Sequence, residues 1–265
     1  MGELKKRIIA GVCLAPAIVL IFYFLPSLLF FIFLVIIAIL ATIEVLKIAM
    51  VKERVLISFL VLCSAFPLYL KSYEVYVMWA ILSVLIYFVL RVFLIRSYKQ
   101  GLYGDIVRGI VVLIFSEIFI ILPMTYFYFL KEINKYLPFI VLFSIWASDI
   151  TAYFFGKGFG RRPLAPHISP KKTVEGLIGA IIGSMIILGL SGSITGLGLM
   201  ESIFVGGLMG ILGQMGDMFE STGKRLCEVK DSSGLIPGHG GILDRIDSFI
   251  FTTPFLYHYI AGIRF

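Results

Sequence analysis

Residues 27–46 read SLLFFIFLVIIAILATIEVL, and Glu44 is the one charged residue in this stretch. A helix needs about 20 apolar residues to cross the hydrocarbon core of a bilayer. The strands of a membrane barrel instead alternate apolar and polar residues, a pattern that this stretch does not show. It therefore predicts a transmembrane helix.

Runs of this kind recur along the chain, in which 60% of the 265 residues are hydrophobic and 15% are charged. A water-soluble domain keeps about a quarter of its residues charged, so the composition excludes a soluble globular fold. We predict an all-α fold, that of a polytopic integral membrane protein with about nine transmembrane helices. The candidate spans are residues 8–24, 27–46, 55–70, 74–95, 106–129, 136–156, 174–191, 196–213 and 248–263.

The basic residues predict the orientation of these helices. With nine spans and a cytoplasmic N-terminus, nineteen of the 23 Lys and Arg residues lie at cytoplasmic flanks, as the positive-inside rule requires. No small-x-small cleavage site follows the basic N-terminus, which favours a retained first helix. We expect N-terminal helices in residues 1–100 and a second transmembrane region in 101–265, the latter with two long cytoplasmic loops, 157–173 and 214–247. Long polar connections of this kind usually carry function.

The second loop is rich in carboxylates. Asp244 and Asp247 are three residues apart, so on a helix they share a face. Ionisable groups at the start of a membrane helix are costly and mark functional sites. Carboxylate oxygens suit Mg²⁺, and Asp217 can supply a third ligand. Helix capping explains Asp244 alone but not the three together, so we predict a magnesium site on Asp217, Asp244 and Asp247.

Glycines and cations surround these acids. The run Gly238-His239-Gly240-Gly241 precedes the acidic helix start, where glycines let backbone N–H groups approach phosphate closely. His239 either contacts phosphate, donates a proton or caps a turn. Guanidinium and ammonium groups neutralise polyphosphates. The candidate cations are Lys224, Arg225, Lys230 and Arg245.

The first loop supplies a smaller set of candidates. Ser169, Lys171 and Lys172 precede a predicted helix and suit an anionic headgroup, although positive-inside charge with an N-cap at Thr173 explains this motif slightly better. Asp149 lies inside an apolar run and should face the protein interior or a polar cavity. Glu44 is expected in an interhelical hydrogen bond as readily as in catalysis.

This pattern resembles the signature of the phosphatidate cytidylyltransferase (CDP-diacylglycerol synthase) family. The matching residues are Ser221, Lys224-Arg225, Lys230-Asp231, His239-Gly240-Gly241 and Asp244-Arg245-Ile246-Asp247. Segments 169–176 and 146–154 are similar to further family motifs, so the resemblance covers about residues 144–247. Gly223 departs from the family pattern, which has a large apolar residue there.

The resemblance implies transfer of CMP from CTP to phosphatidic acid, giving CDP-diacylglycerol and pyrophosphate in phospholipid biosynthesis. It implies Mg²⁺, with room for a second cation, membrane lipids as surroundings, a homodimer and no nucleic-acid partner. The catalytic residues would be Asp217, Asp244, Asp247, Lys224, Arg225 and His239. Substrate binding would fall to Lys230, Asp231, Gly240, Gly241, Arg245, Ser169, Lys171, Lys172, Ser221 and Asp149.

Two other functions compete with this interpretation. A CTP-dependent lipid kinase shares membrane helices and parts of the same signature, but it must activate an alcohol, whereas phosphatidate is already anionic. A transporter commonly shows inverted repeats with interrupted helices in matching positions. The sequence shows no such repeat, and its charge is concentrated in one half.

Overall fold

A computed structural model describes residues 15–93, 102–234 and 240–264, and the chain in these ranges is mostly helical. The first four helices are α1 (Ala15–Phe24), α2 (Ser27–Ile48), α3 (Arg54–Cys63) and α4 (Ala65–Tyr69). They are followed by α5 (Tyr73–Phe93), α6 (Leu102–Ser116), a π-helical turn (Glu117–Ile121), α7 (Leu122–Ile133) and α8 (Leu137–Phe159). After a hairpin of β1 (Pro163–Ala165) and β2 (Ser169–Thr173) come α9 (Val174–Leu190), α10 (Gly192–Thr195), α11 (Leu199–Leu226), α12 (Leu243–Ile246) and α13 (Phe249–Arg264).

Five helices of the described chain are long and apolar enough to cross a membrane. They are Ser27–Ile48, Tyr73–Phe93, Tyr103–Ile133, Leu137–Phe159 and Leu199–Leu226. Their outward faces are apolar: on α5, for example, Met78 and Ile81 are more than two-thirds exposed. Such surfaces are stable in lipid and unfavourable in water. The chain is therefore a helical membrane protein, as its composition predicts.

The predicted loop 157–173 contains an antiparallel hairpin in which Pro163 pairs with Thr173 and Ala165 with Ser169. Its end is fixed to the next helix because the Thr173 hydroxyl oxygen accepts a hydrogen bond from the Gly176 N–H at 3.0 Å. The predicted N-cap is thus confirmed. The two-stranded hairpin is an element that the all-α prediction lacked, since strands of three and five residues are too short to show an alternating apolar pattern.

The predicted loop 214–247 is wrong over its first part, because α11 continues as a helix to Leu226. Asp217, Glu220 and Lys224 recur at spacings of three and four residues, which places them on one helical face. That face meets other polar groups of the protein rather than lipid. The charged residues on this face make the segment less apolar, but the helix continues through them.

Helices α8, α9 and α11 pack closely through glycines. Gly183 of α9 lies against Ala147 of α8, where an added methyl group would be 2.6 Å from the Ala147 carbonyl oxygen. At Gly210 of α11, such a group would be 2.7 Å from the Ile181 Cα of α9. In a bilayer, small residues of this kind allow helix backbones to approach and gain van der Waals contact.

Glu44 of α2 joins the N-terminal helices to the segment that precedes α12. Its buried carboxylate, only 3% exposed, accepts hydrogen bonds from the hydroxyls of Ser232 (3.0 Å) and Ser233 (2.5 Å). It also accepts the backbone N–H groups of Ile242 at 3.0 Å and Leu243 at 2.9 Å. Four donors thus converge on one carboxylate. The predicted interhelical hydrogen bonding of Glu44 is confirmed at Leu243, the first residue of α12, whereas its other three partners lie before that helix.

We expect Gly210→Leu to destabilise the protein by roughly 1–3 kcal/mol, because overpacking a close helix contact forces the backbones apart. The matched control is Gly262→Leu, since nothing lies within 4 Å of an added Cβ there. Thermal unfolding of the detergent-solubilised proteins measures both changes. Equal melting temperatures for the two variants would contradict the packing argument.

Glu44→Gln should loosen the segment 232–243 at nearly constant side-chain size. The amide removes the negative charge and turns one acceptor into a donor that faces other donors, a loss of about 1–3 kcal/mol. Limited proteolysis should then cut this segment faster than in the parent protein. The exposed Glu74 provides the control variant, Glu74→Gln. An unchanged cutting rate in Glu44→Gln would disprove that Glu44 holds this segment.

Candidate functional site

Charged side chains of α8, α11, α12 and the turn between α12 and α13 form two neighbouring groups. The first, which we name the acid cluster, comprises Asp149, Asp217 and Asp247. The second, the lysine cluster, comprises Glu220, Lys224 and Asp244. The stripe on α11 contributes to both clusters, so they lie side by side.

The acid cluster borders a cavity of about 210 Å³, which Asp149, Lys171, Lys172, Gln214 and Asp217 help to line. The Lys172 ammonium lies 2.7 Å from the Asp217 carboxylate. Asp149 thus faces a polar cavity, as predicted. The cavity offers both carboxylates and ammonium groups, which suits an anionic ligand bound together with a cation.

Asp247 meets the cluster from the turn between α12 and α13. Its carboxylate accepts the Ser248 N–H at 2.6 Å. Burial, followed by the negative charges of Asp217 and Glu220, raises the pKa of this carboxyl well above its usual range. Gly216 permits the close approach, because a methyl group there would collide with the Asp247 carbonyl oxygen. Neighbouring positive charge would relieve this repulsion.

Asp244 has its partners outside the acid cluster. It pairs with the Lys224 ammonium at 2.5 Å and accepts the Gly241 N–H at 2.8 Å and the Ser232 hydroxyl at 2.7 Å. Burial opposes its ionisation, but these contacts outweigh burial and lower the pKa of Asp244 to about 2. Lys224 also pairs with Glu220 at 2.5 Å.

The structure therefore brings Asp217 and Asp247 together and gives Asp244 other partners. Their three-residue spacing predicted that Asp244 and Asp247 share one helical face. In the structure, the Lys224 ammonium and the Gly241 N–H bind Asp244 and not Asp247. Within residues 15–93, 102–234 and 240–264, no three His, Cys, Asp or Glu side chains form a ready metal site. Mg²⁺ is commonly held by one or two carboxylates with substrate phosphates supplying the rest, which the pair of Asp217 and Asp247 fits.

The predicted glycines have a structural task that the sequence did not reveal. Gly240 has a positive φ of 78°, a conformation that glycine adopts without steric cost. A methyl group on Gly241 would collide with the Ser232 hydroxyl and the Glu44 carboxylate. This pair therefore allows the chain to close on Glu44 and Asp244. His239 lies outside the described residues.

The remaining basic candidates lie in different surroundings. The Arg225 guanidinium donates to the carbonyl oxygens of Ile168 at 3.3 Å and Val229 at 3.2 Å, and so holds the hairpin against the end of α11. Arg245 contributes positive charge near Asp149. Lys230 is exposed beyond α11.

Three further candidates lie beside these groups. The Ser221 hydroxyl donates to Asp217 at 3.2 Å. Ser169 pairs with Ala165 at the start of β2, and Asp231 is exposed beyond α11.

Sequence reasoning missed Glu220, Gln214 and Ser232. Glu220 precedes Lys224 by four residues, the spacing of a helical ion pair, so recognising that α11 continues would have revealed it. Gln214 lies one turn before Asp217 on the same helix. No local sequence pattern marks Ser232, because its partners Glu44 and Asp244 are 188 and 12 residues away along the chain.

The chain is similar to a family of known proteins. The profile of the cytidylyltransferase family matches residues 5–263. The phosphatidate cytidylyltransferase of Bacillus subtilis (strain 168) is 38% identical over 151 residues, 55% of this chain and 56% of the relative. That of Aquifex aeolicus (strain VF5) is 35% identical over 161 residues, 61% of this chain and 60% of the relative.

A third relative, the phosphatidate cytidylyltransferase of Synechocystis sp. (strain ATCC 27184 / PCC 6803 / Kazusa), is 47% identical over 126 residues, 44% of this chain and 40% of the relative. The chain thus spans about half the length of the curated relatives that it matches. The family profile extends much further than these alignments, over nearly all of the 265 residues. This protein belongs to the cytidylyltransferase family.

Proposed function

We propose that this protein is a phosphatidate cytidylyltransferase, which transfers CMP from CTP to phosphatidic acid and releases pyrophosphate. The CDP-diacylglycerol formed would serve phospholipid biosynthesis. Membership of the family and the names of the relatives support this proposal. The structural observation that carries it is the cavity where carboxylates of α8 and α11 meet the lysines of the β-hairpin.

The reaction requires little covalent chemistry from the protein. A phosphate oxygen of phosphatidate attacks the α-phosphorus of CTP, and a new P–O bond forms. The bond from that phosphorus to the oxygen bridging the β-phosphate breaks, and its electron pair leaves with pyrophosphate. The second pKa of a phosphomonoester is about 6, so the attacking group is already ionised near neutral pH. Positioning and charge neutralisation are then the main tasks.

Lys171 and Lys172 of β2 would bind the lipid phosphate; in support of this role, both line the cavity. Lys224, Lys230 and Arg245 would hold the triphosphate and the departing pyrophosphate. Arg225 acts differently, as a positioning residue, because its guanidinium is already bonded to backbone carbonyls of the hairpin and of the segment after α11.

Asp217 and Asp247 would hold Mg²⁺, since oxygen ligands suit this ion and the buried, mutually repelling carboxyls gain from a cation. When bound, the ion supplies positive charge to the phosphate oxygens. Asp244 would support the site by fixing Lys224 and the Gly241 N–H. A second cation and homodimerisation stay predictions.

We also propose nine spans, a cytoplasmic N-terminus and a cytoplasmic site in the inner (plasma) membrane. The distribution of Lys and Arg supports this orientation. The chemistry supports it too, because CTP is a cytoplasmic solute whereas phosphatidate stays in the bilayer.

A labelled-substrate assay tests the proposed reaction against a lipid kinase. The purified protein is incubated with phosphatidic acid micelles and Mg²⁺, using CTP labelled at either the α- or the γ-phosphate. The α-label should enter lipid and the γ-label should appear in pyrophosphate, with both signals lost after chelation of Mg²⁺. Entry of only the γ-label into lipid would refute the assignment.

Asp217→Asn and Asp247→Asn should each lower kcat more than about a hundredfold, because each removes one charge from the metal site at nearly constant shape. Steady-state kinetics across a Mg²⁺ titration measure this loss and the shift in the Mg²⁺ requirement. Asp105→Asn is the control, since that partly exposed residue pairs only with Lys52 on the surface among the contacts described.

The melting temperature of the two variants should stay close to that of the parent protein, which separates a chemical defect from unfolding. Near-normal turnover in either variant would count against its metal role.

A further inference from the structure

A second, larger cavity lies between α2, α6 and α11. It measures about 610 Å³, within the usual range of about 300–1,000 Å³ for small-molecule sites. Its walls are chiefly apolar, and they include Val45, Ile48, Val112, Phe115 and Phe219. Such walls suit a hydrocarbon ligand better than a nucleotide.

The cavity adjoins the lipid-facing surface of the protein. Val107, Val111 and Ile114 of α6 and Ile118 of the following π-helical turn recur at helical spacing, and each is at least 40% exposed. Val111 also lines the cavity. In a helical membrane protein a stripe of this kind contacts lipid tails, so a lipid can enter from the side.

The cavity also shares a wall with the lysine cluster. Glu220, Lys224 and Leu243 all line it, and Arg108 lies on the α6 side. Lys224 also pairs with Asp244, so it belongs both to the cavity wall and to the lysine cluster. Because Asp217 lies on the same face of α11 as Glu220 and Lys224, a lipid with its tail in this cavity would have its phosphate on the side of Lys172, which pairs with Asp217 at 2.7 Å.

Gly223 faces this cavity from α11. Nothing lies within 4 Å of the position that a Cβ would take there, in contrast to Gly210 and Gly216, whose space is filled by neighbouring backbone. The absence of a side chain at Gly223 thus serves no close contact among the described residues. It leaves room inside the cavity.

We propose that this cavity receives an acyl chain of the phosphatidate substrate and that Gly223 determines how much chain it accepts. The inference rests on the proposed function and adds to it a lipid-binding subsite and a residue that sets chain-length preference. A larger side chain at position 223 displaces methylene groups of a long chain, whereas a short chain does not reach it.

The kinetic test compares Gly223→Leu with the parent protein on dioleoyl- and dioctanoyl-phosphatidic acid. The ratio of KM for the long over the short lipid should rise about tenfold, as expected when two buried methylene groups are displaced. Gly262→Leu, at an open position on α13, should leave the ratio unchanged. An unchanged ratio in Gly223→Leu would overturn the proposal.

A binding test separates this inference from the proposed reaction. Phosphatidic acid with a diazirine near the end of one chain is photolysed with the full-length protein, and the labelled peptides are mapped by mass spectrometry. Labels should fall on the cavity segments of α2, α6 and α11 and should decrease in Gly223→Leu. Labels elsewhere would disprove the subsite. Labels at the cavity without CMP transfer would retain the subsite and reject the proposed function.

Discussion

The carboxylate of Glu44 is the interaction on which the arrangement of the site depends. A charge buried on α2 is costly unless it is paired or hydrogen-bonded. Its four donors all come from the segment between α11 and α13, so this segment must close over α2. That closure brings Ser232 and Gly241 to Asp244, and Asp244 in turn holds Lys224.

The second constraint is the close packing of α8, α9 and α11. Glycines on α9 and α11 allow backbones to touch, and the hairpin leads directly into α9 through the Thr173 cap. Asp149, Lys172 and Asp217 lie on or beside these elements. Their meeting at one cavity thus follows from helix packing, which in lipid depends on small residues rather than on the hydrophobic effect.

Much of the fold could be predicted from the sequence, because a bilayer imposes a simple length and polarity rule. The run 27–46 became α2, with an end two residues later at Ile48. The rule failed at α11, where Asp217 to Lys224 lowered the apolarity of a helix that turns its charged face toward protein. It also had no means to detect the hairpin, whose strands are only three and five residues long.

For this protein, the sequence by itself determined the helical membrane class and most of the residues that carry charge at the site, Glu220 excepted. Those properties depend on composition and on local spacing. Only the tertiary structure decided their partners: Asp247 lies with Asp217, whereas Asp244 lies with Lys224 and Glu44 anchors the loop. Partner choice depends on contacts between residues as far apart as Glu44 and Leu243, and no local spacing encodes such distances.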